Sequence, residues 1–302
     1  MPGPRVAILL ATHNGERYLD EQLDTILDQS GVDVTVFASD DASTDATLGL
    51  LRRRAAADER LVLLPPTRQG SAHGNFRRLL IDVDPTGYDA IGLADQDDRW
   101  MPGRLERQLE LLRSGFDAVS SDVVMFDDTG RRAVLRKSQP QVRFDYLLES
   151  AGPGSTFVLG PEAARLVHRV MRDDPRTAEA GAHDWLMYAI VRGAGLRWWI
   201  DPVPSVEYRQ HDANVLGANR GAAAALERGS RIVNGWLREH ALRVAEIVLD
   251  LQPEPDPALA RIAGIMRQGR AQQWRLARDA PLMRRERRES RLIAACMILG
   301  LW

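Results

Sequence analysis

Three times in its first hundred residues the chain runs through a strand-length apolar stretch that stops abruptly in polar side chains. Val6–Thr12 stops at His13-Asn14-Gly15, Val32–Ser39 at Asp40-Asp41, and Asp89–Ala94 at Asp95-Gln96-Asp97-Asp98. Each stop is followed by a helical stretch. Glu16–Gln29 carries Tyr18, Leu19, Leu23, Ile26 and Leu27 at helical spacing, a second helix runs to about Ala57, and a third starts at Pro102 and runs through Leu112. Leu61–Leu64 and Ala118–Phe126 read as further strands, and Gly74–Ile81 as a further helix. Alternation of this kind predicts an α/β fold, a mostly parallel sheet flanked by helices on both faces. Ligands of such sheets bind at the carboxyl ends of strands, so the three polar stops should converge on one edge.

After Ser150 the pattern is less regular. Strands are expected at Ser155–Leu159, Leu196–Ile200 and Ser205–Arg209, with helices at Glu162–Met171 and His183–Val191. From about Ala218 the chain reads as a C-terminal helical extension, broken near Pro253–Pro257 and Ala280-Pro281. The expected organisation is one α/β domain at 1–217, divided at about 126/127, then a helical region at 218–302. The net charge of −2 gives no general attraction to nucleic acid. Cys296 is the single cysteine, which excludes an internal disulfide and fits a reducing compartment. Met1–Arg5 is not a charged region leading into a signal sequence, and no stretch reaches the roughly 20 apolar residues that span a bilayer. A cytoplasmic location is therefore expected.

Asp95-Gln96-Asp97-Asp98 is the sharpest chemical feature. Three carboxylates in four residues repel one another, and a divalent cation offsets that repulsion. Mg²⁺ or Mn²⁺ prefers oxygen ligands and keeps substrate phosphates in its shell, where it stabilises a departing diphosphate. The bland alternative is a helix cap with solvated charges before Pro102. Asp40 and Asp41, at the second strand end, can accept hydrogen bonds from a base N–H or a ribose hydroxyl; the alternative there is an Asx-turn, which accounts for Ser43 and Asp45. Thr12, His13 and Asn14 stand at the first strand end, where His13 lines a nucleotide pocket or caps the next helix. Arg68 and Gln69-Gly70 follow the third strand and approach the same place. No G-x-G-x-x-G follows the first strand and no G-x-x-x-x-G-K-[ST] occurs, which argues against a dinucleotide dehydrogenase and a P-loop protein.

Taken in order, Val6–Asn14, Ser39–Asp45 and Leu93–Trp100 with Pro102 resemble glycosyltransferase family 2, whose members are inverting enzymes of the GT-A fold. Asp-Gln-Asp-Asp-x-Trp-x-Pro, continued here as Gly103-Arg104-Leu105-Glu106, is similar to rhamnosyltransferase-like members that build bacterial surface polysaccharides. The resemblance covers roughly Arg5 to Gly217. It implies Asp97 as main metal ligand, Asp95 and Gln96 at the donor, and a nucleotide-diphosphate sugar, dTDP-rhamnose among the candidates. His183-Asp184-Trp185 resembles an acceptor-side motif whose aspartate is the catalytic base. Tyr208-Arg209-Gln210-His211 resembles a motif near the diphosphate, with Asp212 where many relatives carry a small residue. From the residues alone, Asp184 is a plausible proton acceptor for a hydroxyl nucleophile or a helix cap. His211 is a metal ligand, a diphosphate donor or an ordinary loop histidine. Trp198-Trp199 is core or an acceptor platform.

The arginines at 284, 285, 287, 288 and 291 precede the apolar Leu292–Trp302. This tail reads either as a charged helix leading into a packed or dimerising one, or as an interfacial anchor. The resemblance to polysaccharide transferases, which act on lipid-linked acceptors at the inner face of the plasma membrane, fits the second. Two other functions compete with transfer of sugar to a glycan or lipid-linked acceptor. One is a same-fold nucleotidyltransferase, for which the first loop lacks the Gly-rich basic sequence. The other is a non-catalytic scaffold, against which the intact carboxylates speak.

Overall fold

The computed structural model describes residues 3–211 and 234–302. Strands β1 (Arg5–Thr12), β2 (Asp33–Asp40), β3 (Leu61–Leu63) and β4 (Ala90–Ala94) lie in parallel in the order β3-β2-β1-β4. The register runs from Arg5↔Asp33 to Thr12↔Asp40, and Leu10 pairs with Ala94. β1, β2 and β4 therefore end at nearly one level, which brings the polar segments that follow them to one edge.

Beyond β4 the same sheet continues, with nine strands among the described residues. It adds β8 (Val158–Leu159), β6 (Ala118–Asp127), β9 (Trp198–Gln210) and β5 (Arg99–Trp100), with β7 (Arg132–Leu135) as a hairpin on β6. β9 runs parallel to β6, while β5 and β7 are antiparallel to their partners.

Alternate residues of β1 serve opposite layers. Val6, Ile8 and Leu10 pack with α1 (Leu19–Leu27), α2 (Thr47–Ala57) and α4 (Arg104–Arg113). Ala7, Leu9 and Ala11 share a core with α3 (Ala72–Asp82), α5 (Pro161–Asp173) and α6 (His183–Gly193). A strand covered on both faces must be apolar throughout, which is why these strands read as unbroken apolar runs. Gly92 in β4 permits the close approach of β1, since a Cβ there would stand 2.8 Å from Ile8 Cδ1.

The described part of the C-terminal region comprises α7 (Trp236–Leu251), α8 (Pro257–Arg267), a 3-10 segment (Arg270–Asp279), α9 (Ala280–Met283) and α10 (Arg287–Ile298). Val244, Val248, Ile262, Met283, Met297 and Trp302 belong to the same apolar core as α3, α5 and α6. Each such side chain contributes on the order of 1.5–3 kcal/mol when fully buried. α6 and α7 touch at Gly193, where a Cβ would lie 2.4 Å from Val248 Cγ1.

Local departures from the sequence reading have local causes. α1 begins at Leu19 rather than Glu16, because the Gly15 carbonyl accepts from Tyr18 and Leu19 in a tight entry turn. α4 begins at Arg104 rather than Pro102, because Gly103 takes a left-handed φ of 74°. The strand expected at Ser155–Leu159 shortens to Val158–Leu159 behind a 3-10 turn at Gly154–Thr156. The two strands expected around Pro202 and Pro204 are one, β9, whose register against β6 shifts between Ser121 and Val123. The expected break at Pro253–Pro257 separates α7 from α8, whose start Asp256 caps. Asp212, Asn214, Val215, the boundary at 217/218 and the helix expected from Ala218 lie outside the described residues up to 233.

Candidate active site

The carboxyl ends of β1, β2 and β4, the start of α6 and the end of β9 border one cleft of about 2130 Å³. Of the residues expected from sequence, Thr12, His13, Asn14, Asp41, Asp95, Gln96, Asp97, His183, Asp184 and His211 line it.

The first wall is a loop clamp. Gln96 accepts from the His13 N–H at 2.8 Å and donates to the His13 carbonyl at 2.9 Å. Gly15 must lack a side chain here, since a Cβ would stand 2.2 Å from Gln96 Oε1. His13 Nδ1 lies 2.8 Å from the Asp41 carbonyl, and Asn14 receives the Thr44 N–H at 2.8 Å. Asp41 turns toward the chain after β3, where its carboxylate accepts from the N–H groups of Gln69 and Gly70. Asp40 is fully buried and turned into the loop: it accepts from the Thr12 hydroxyl at 3.0 Å, the Ser43 hydroxyl at 2.6 Å and the Ser43 N–H at 3.0 Å. It builds the loop and does not line the cleft. This differs from the sequence reading, which placed both aspartates at the ligand.

The acidic run splits by direction. Asp98 is 1% exposed and faces inward, accepting from the Ser155 hydroxyl at 2.8 Å and the Arg209 N–H at 3.1 Å; burial and then Asp95 and Asp97 raise its pKa well above the carboxylate range. Asp95 and Asp97 face the cleft. Burial, then the Asp97 and Asp184 charges, push Asp95 up to about 7. The Asp97 carboxylate lies 2.7 Å from His211 Nε2. Asp97 and His211 thus meet at one corner of the cleft, and among the described residues no three His, Cys, Asp or Glu side chains close a complete cage. Mg²⁺ characteristically binds through one or two protein carboxylates and fills its shell with phosphate and water, so this corner fits such an ion. The repulsion that raises Asp95 is what a divalent cation would relieve.

Opposite stands Asp184, in the first turn of α6, where the positive end of the helix favours an anion. Burial raises its pKa, against which work the Trp185 N–H, the Ser150 hydroxyl and Lys137. Gly154 makes room for it: a Cβ there would lie 2.7 Å from His183 Nε2 and 3.2 Å from Asp184 Cβ. His183 stacks on Phe76 with ring centroids 4.0 Å apart, and burial, then His73, pushes it down to about 3, so it is a neutral wall of the cleft.

Two expected site residues serve the scaffold instead. Trp185 donates to the Tyr146 carbonyl at 2.6 Å and packs on His240 of α7. Arg209 is 4% exposed and supports the acidic turn from behind, donating to the Asp97 carbonyl at 2.8 Å and pairing with Glu21 at 2.6 Å. Trp198 is core, with its indole donating to Ser120, while Trp199 lies half-open against Phe116. Arg68 and Gly70 line the cleft as expected. Sequence reasoning missed Lys137, Ser150 and Gly152–Gly154, which complete the wall beside Asp184. The Gly152-Pro153-Gly154 turn was the available signal.

Comparison with known proteins identifies the family and the fold. The family model described as "Glycosyl transferase family 2" matches residues 7–168. The chain is 34% identical over 245 residues to dTDP-rhamnosyl transferase RfbG of Shigella flexneri, covering 80% of this chain and 85% of that protein. The fold is similar to S. aureus TarS 1-349, with a TM-score of 0.56 at 15% identity over 98% of this chain and 81% of that one. It is also similar to the mannosyltransferase PcManGT from Pyrobaculum calidifontis, solved with GDP-Man and Mn2+, with a TM-score of 0.55 at 17% identity over 99% and 81% of the two chains. Both neighbours support the GT-A architecture. With a family match across more than half its length and carboxylates gathered at the strand ends, the chain belongs to glycosyltransferase family 2, as a rhamnosyltransferase-like glycosyltransferase.

Proposed function

We propose that this glycosyltransferase inverts configuration as it moves rhamnose from dTDP-rhamnose to a hydroxyl of a bacterial surface glycan or its lipid-linked precursor, at the cytoplasmic side of the membrane. The observation that carries the reading is the convergence of Asp95, Asp97 and Asp184, from two distant segments, close enough that the second and third raise the pKa of the first. The named activity of the Shigella relative supports the donor.

Asp184 takes the proton of the acceptor hydroxyl as its oxygen bonds to the anomeric carbon. The bond from that carbon to the diphosphate breaks, and its electron pair leaves on the phosphate oxygen. A carboxylate with a raised pKa suits a base that must release the proton again near neutral pH. Asp41 and the His13–Asn14 loop would hold the nucleoside, with Asp95 against the donor sugar. Asp97 and His211 would hold Mg²⁺ or Mn²⁺, which supplies charge neutralisation for the departing diphosphate.

A thermal-shift screen of dTDP, UDP and GDP, each with and without Mn²⁺, tests donor and metal together, because a ligand of the folded state raises its stability by mass action. A Mn²⁺-dependent shift selective for dTDP is expected, followed by dTDP release from dTDP-rhamnose when acceptor is supplied. A shift for another diphosphate would reassign the donor. A shift indifferent to metal would remove the role given to Asp97 and His211.

A further inference from the structure

The C-terminal tail separates into two faces. Its inner face is structural: Arg285 is buried, its N–H donates to Glu149 at 2.6 Å, and its guanidinium donates to the carbonyls of Lys137 and Ser150. Ser290, Ile293, Met297 and Trp302 are also buried. The outer face of α10 is different. Arg287, Arg288 and Arg291 are exposed at its start, and Leu292, Ile298 and Leu299 are 61%, 63% and 69% exposed toward its end. Helical spacing places these six residues on one side, opposite Ile293 and Met297. The adjoining 3-10 segment adds Trp274, 59% exposed, with Arg275 and Arg278. Of the ten large apolar side chains exposed among the described residues, six lie between Trp274 and Leu301, so the exposure is concentrated rather than scattered.

The charge is concentrated too. Residues 270–302 hold eight arginines and three carboxylates in a chain whose net charge is −2. Within 287–302 the sole carboxylate is Glu289, which pairs with Arg284 at 2.7 Å. Among the described residues no carboxylate forms an ion pair with Arg287, Arg288 or Arg291.

We propose that this face docks on an anionic phospholipid surface, with the arginines at the headgroups and Leu292, Ile298 and Leu299 at the acyl boundary. Charge decides the occupant. A second copy placed on this face would set arginine against arginine, whereas an anionic bilayer is complementary. The helix does not cross the membrane: it has 12 residues, about 18 Å at 1.5 Å per residue, and no described helix is long and apolar enough to span. Two residues before this face begins, Arg285 grips the carbonyl of Ser150, whose side chain meets Asp184. A docked tail would therefore present the acceptor side of the cleft near the bilayer. The surface lies apart from the nucleotide walls, so lipid binding and nucleotide binding are read separately.

The test is co-sedimentation of the full chain with vesicles of phosphatidylcholine alone or with 30% phosphatidylglycerol, alongside the dTDP thermal shift. At least tenfold tighter binding to the anionic vesicles is expected, weakening in high salt. Each arginine near an anionic surface is worth roughly fivefold, so R287E/R288E/R291E should lose about a hundredfold or more. L292S/L299S should also release the protein from vesicles, with both variants retaining the wild-type nucleotide response. Equal binding to the two vesicle types, no binding to either, or a concentration-dependent dimer that R287E/R288E/R291E changes would overturn the proposal.

Discussion

His211 Nε2 stands 2.7 Å from the Asp97 carboxylate, although 114 residues separate them. One comes from the turn after β4 and the other from the end of β9. The contact is assembled because Arg209, two residues before His211, donates to the Asp97 carbonyl and the Asp98 carboxylate.

If this pair holds the cation, Asp97→Asn and His211→Asn should each abolish most of the Mn²⁺-dependent part of dTDP binding. Loss of one charged partner is worth about 1.5–3 kcal/mol, roughly ten- to a hundredfold in affinity. Calorimetric titration with dTDP, with and without Mn²⁺, checks this. Unchanged metal dependence in both variants would exclude the corner as the metal site.

Asp184→Asn should lower kcat by about 10²–10⁴, the usual contribution of a positioned base, with donor affinity nearly unchanged. Initial rates of dTDP release against dTDP binding separate the two effects. A variant that turns over normally would show Asp184 to be only a helix-start residue.

Gly15→Ala should weaken donor binding by forcing Gln96 off His13, since the new Cβ would stand 2.2 Å from Oε1. The expected cost is about 1–3 kcal/mol, from two displaced hydrogen bonds. Gly15→Ala/Gln96→Ala should recover little binding if the clamp itself matters, and most of it if the clash alone matters. Urea unfolding distinguishes either result from global destabilisation.

Burial pushes His240, between Trp185 and Trp236, down to about 4 from the ordinary 6.5. The unfolded chain therefore binds this proton first. Its contribution is present above pH 6.5 and is lost as pH falls toward 4, roughly 2 kcal/mol of it by pH 5. Raised carboxylates such as Asp184 act in the opposite sense, so the difference between two proteins is the clean readout. His240→Leu should show a smaller drop in Tm from pH 7 to pH 5 than the parent. Parallel curves would contradict the assignment.

Arg285→Met should destabilise by about 3–5 kcal/mol, because it removes a buried guanidinium that neighbours the buried Asp145 and pairs with the half-buried Glu149. Arg287→Met, two residues on and exposed, should stay within about 0.5 kcal/mol. Chemical denaturation of the two variants compares them directly.

Sequence by itself determined the alternation of β1–β4 with their helices, the edge where chemistry gathers and the polar residues at those strand ends, while β5, β7 and the wall from Lys137 to Gly154 were not legible in it. It did so because strands buried on both faces must be apolar, and because parallel strands expose their polar ends on one side. Thr12, His13, Asn14, Asp41, Asp95, Gln96, Asp97, Asp184 and His211 were all legible on that basis or through the family motif. Tertiary structure alone decided direction. It turned Asp40 and Asp98 inward, set Arg209 and Trp185 to brace the site, and divided neighbouring arginines of one basic run between core and surface. A run of like residues carries no record of which member meets a partner. Arg285 is buried because Glu149 and two carbonyls, brought from the chain around residues 137–150, wait for it, and Arg287 stays exposed because no such partners reach it.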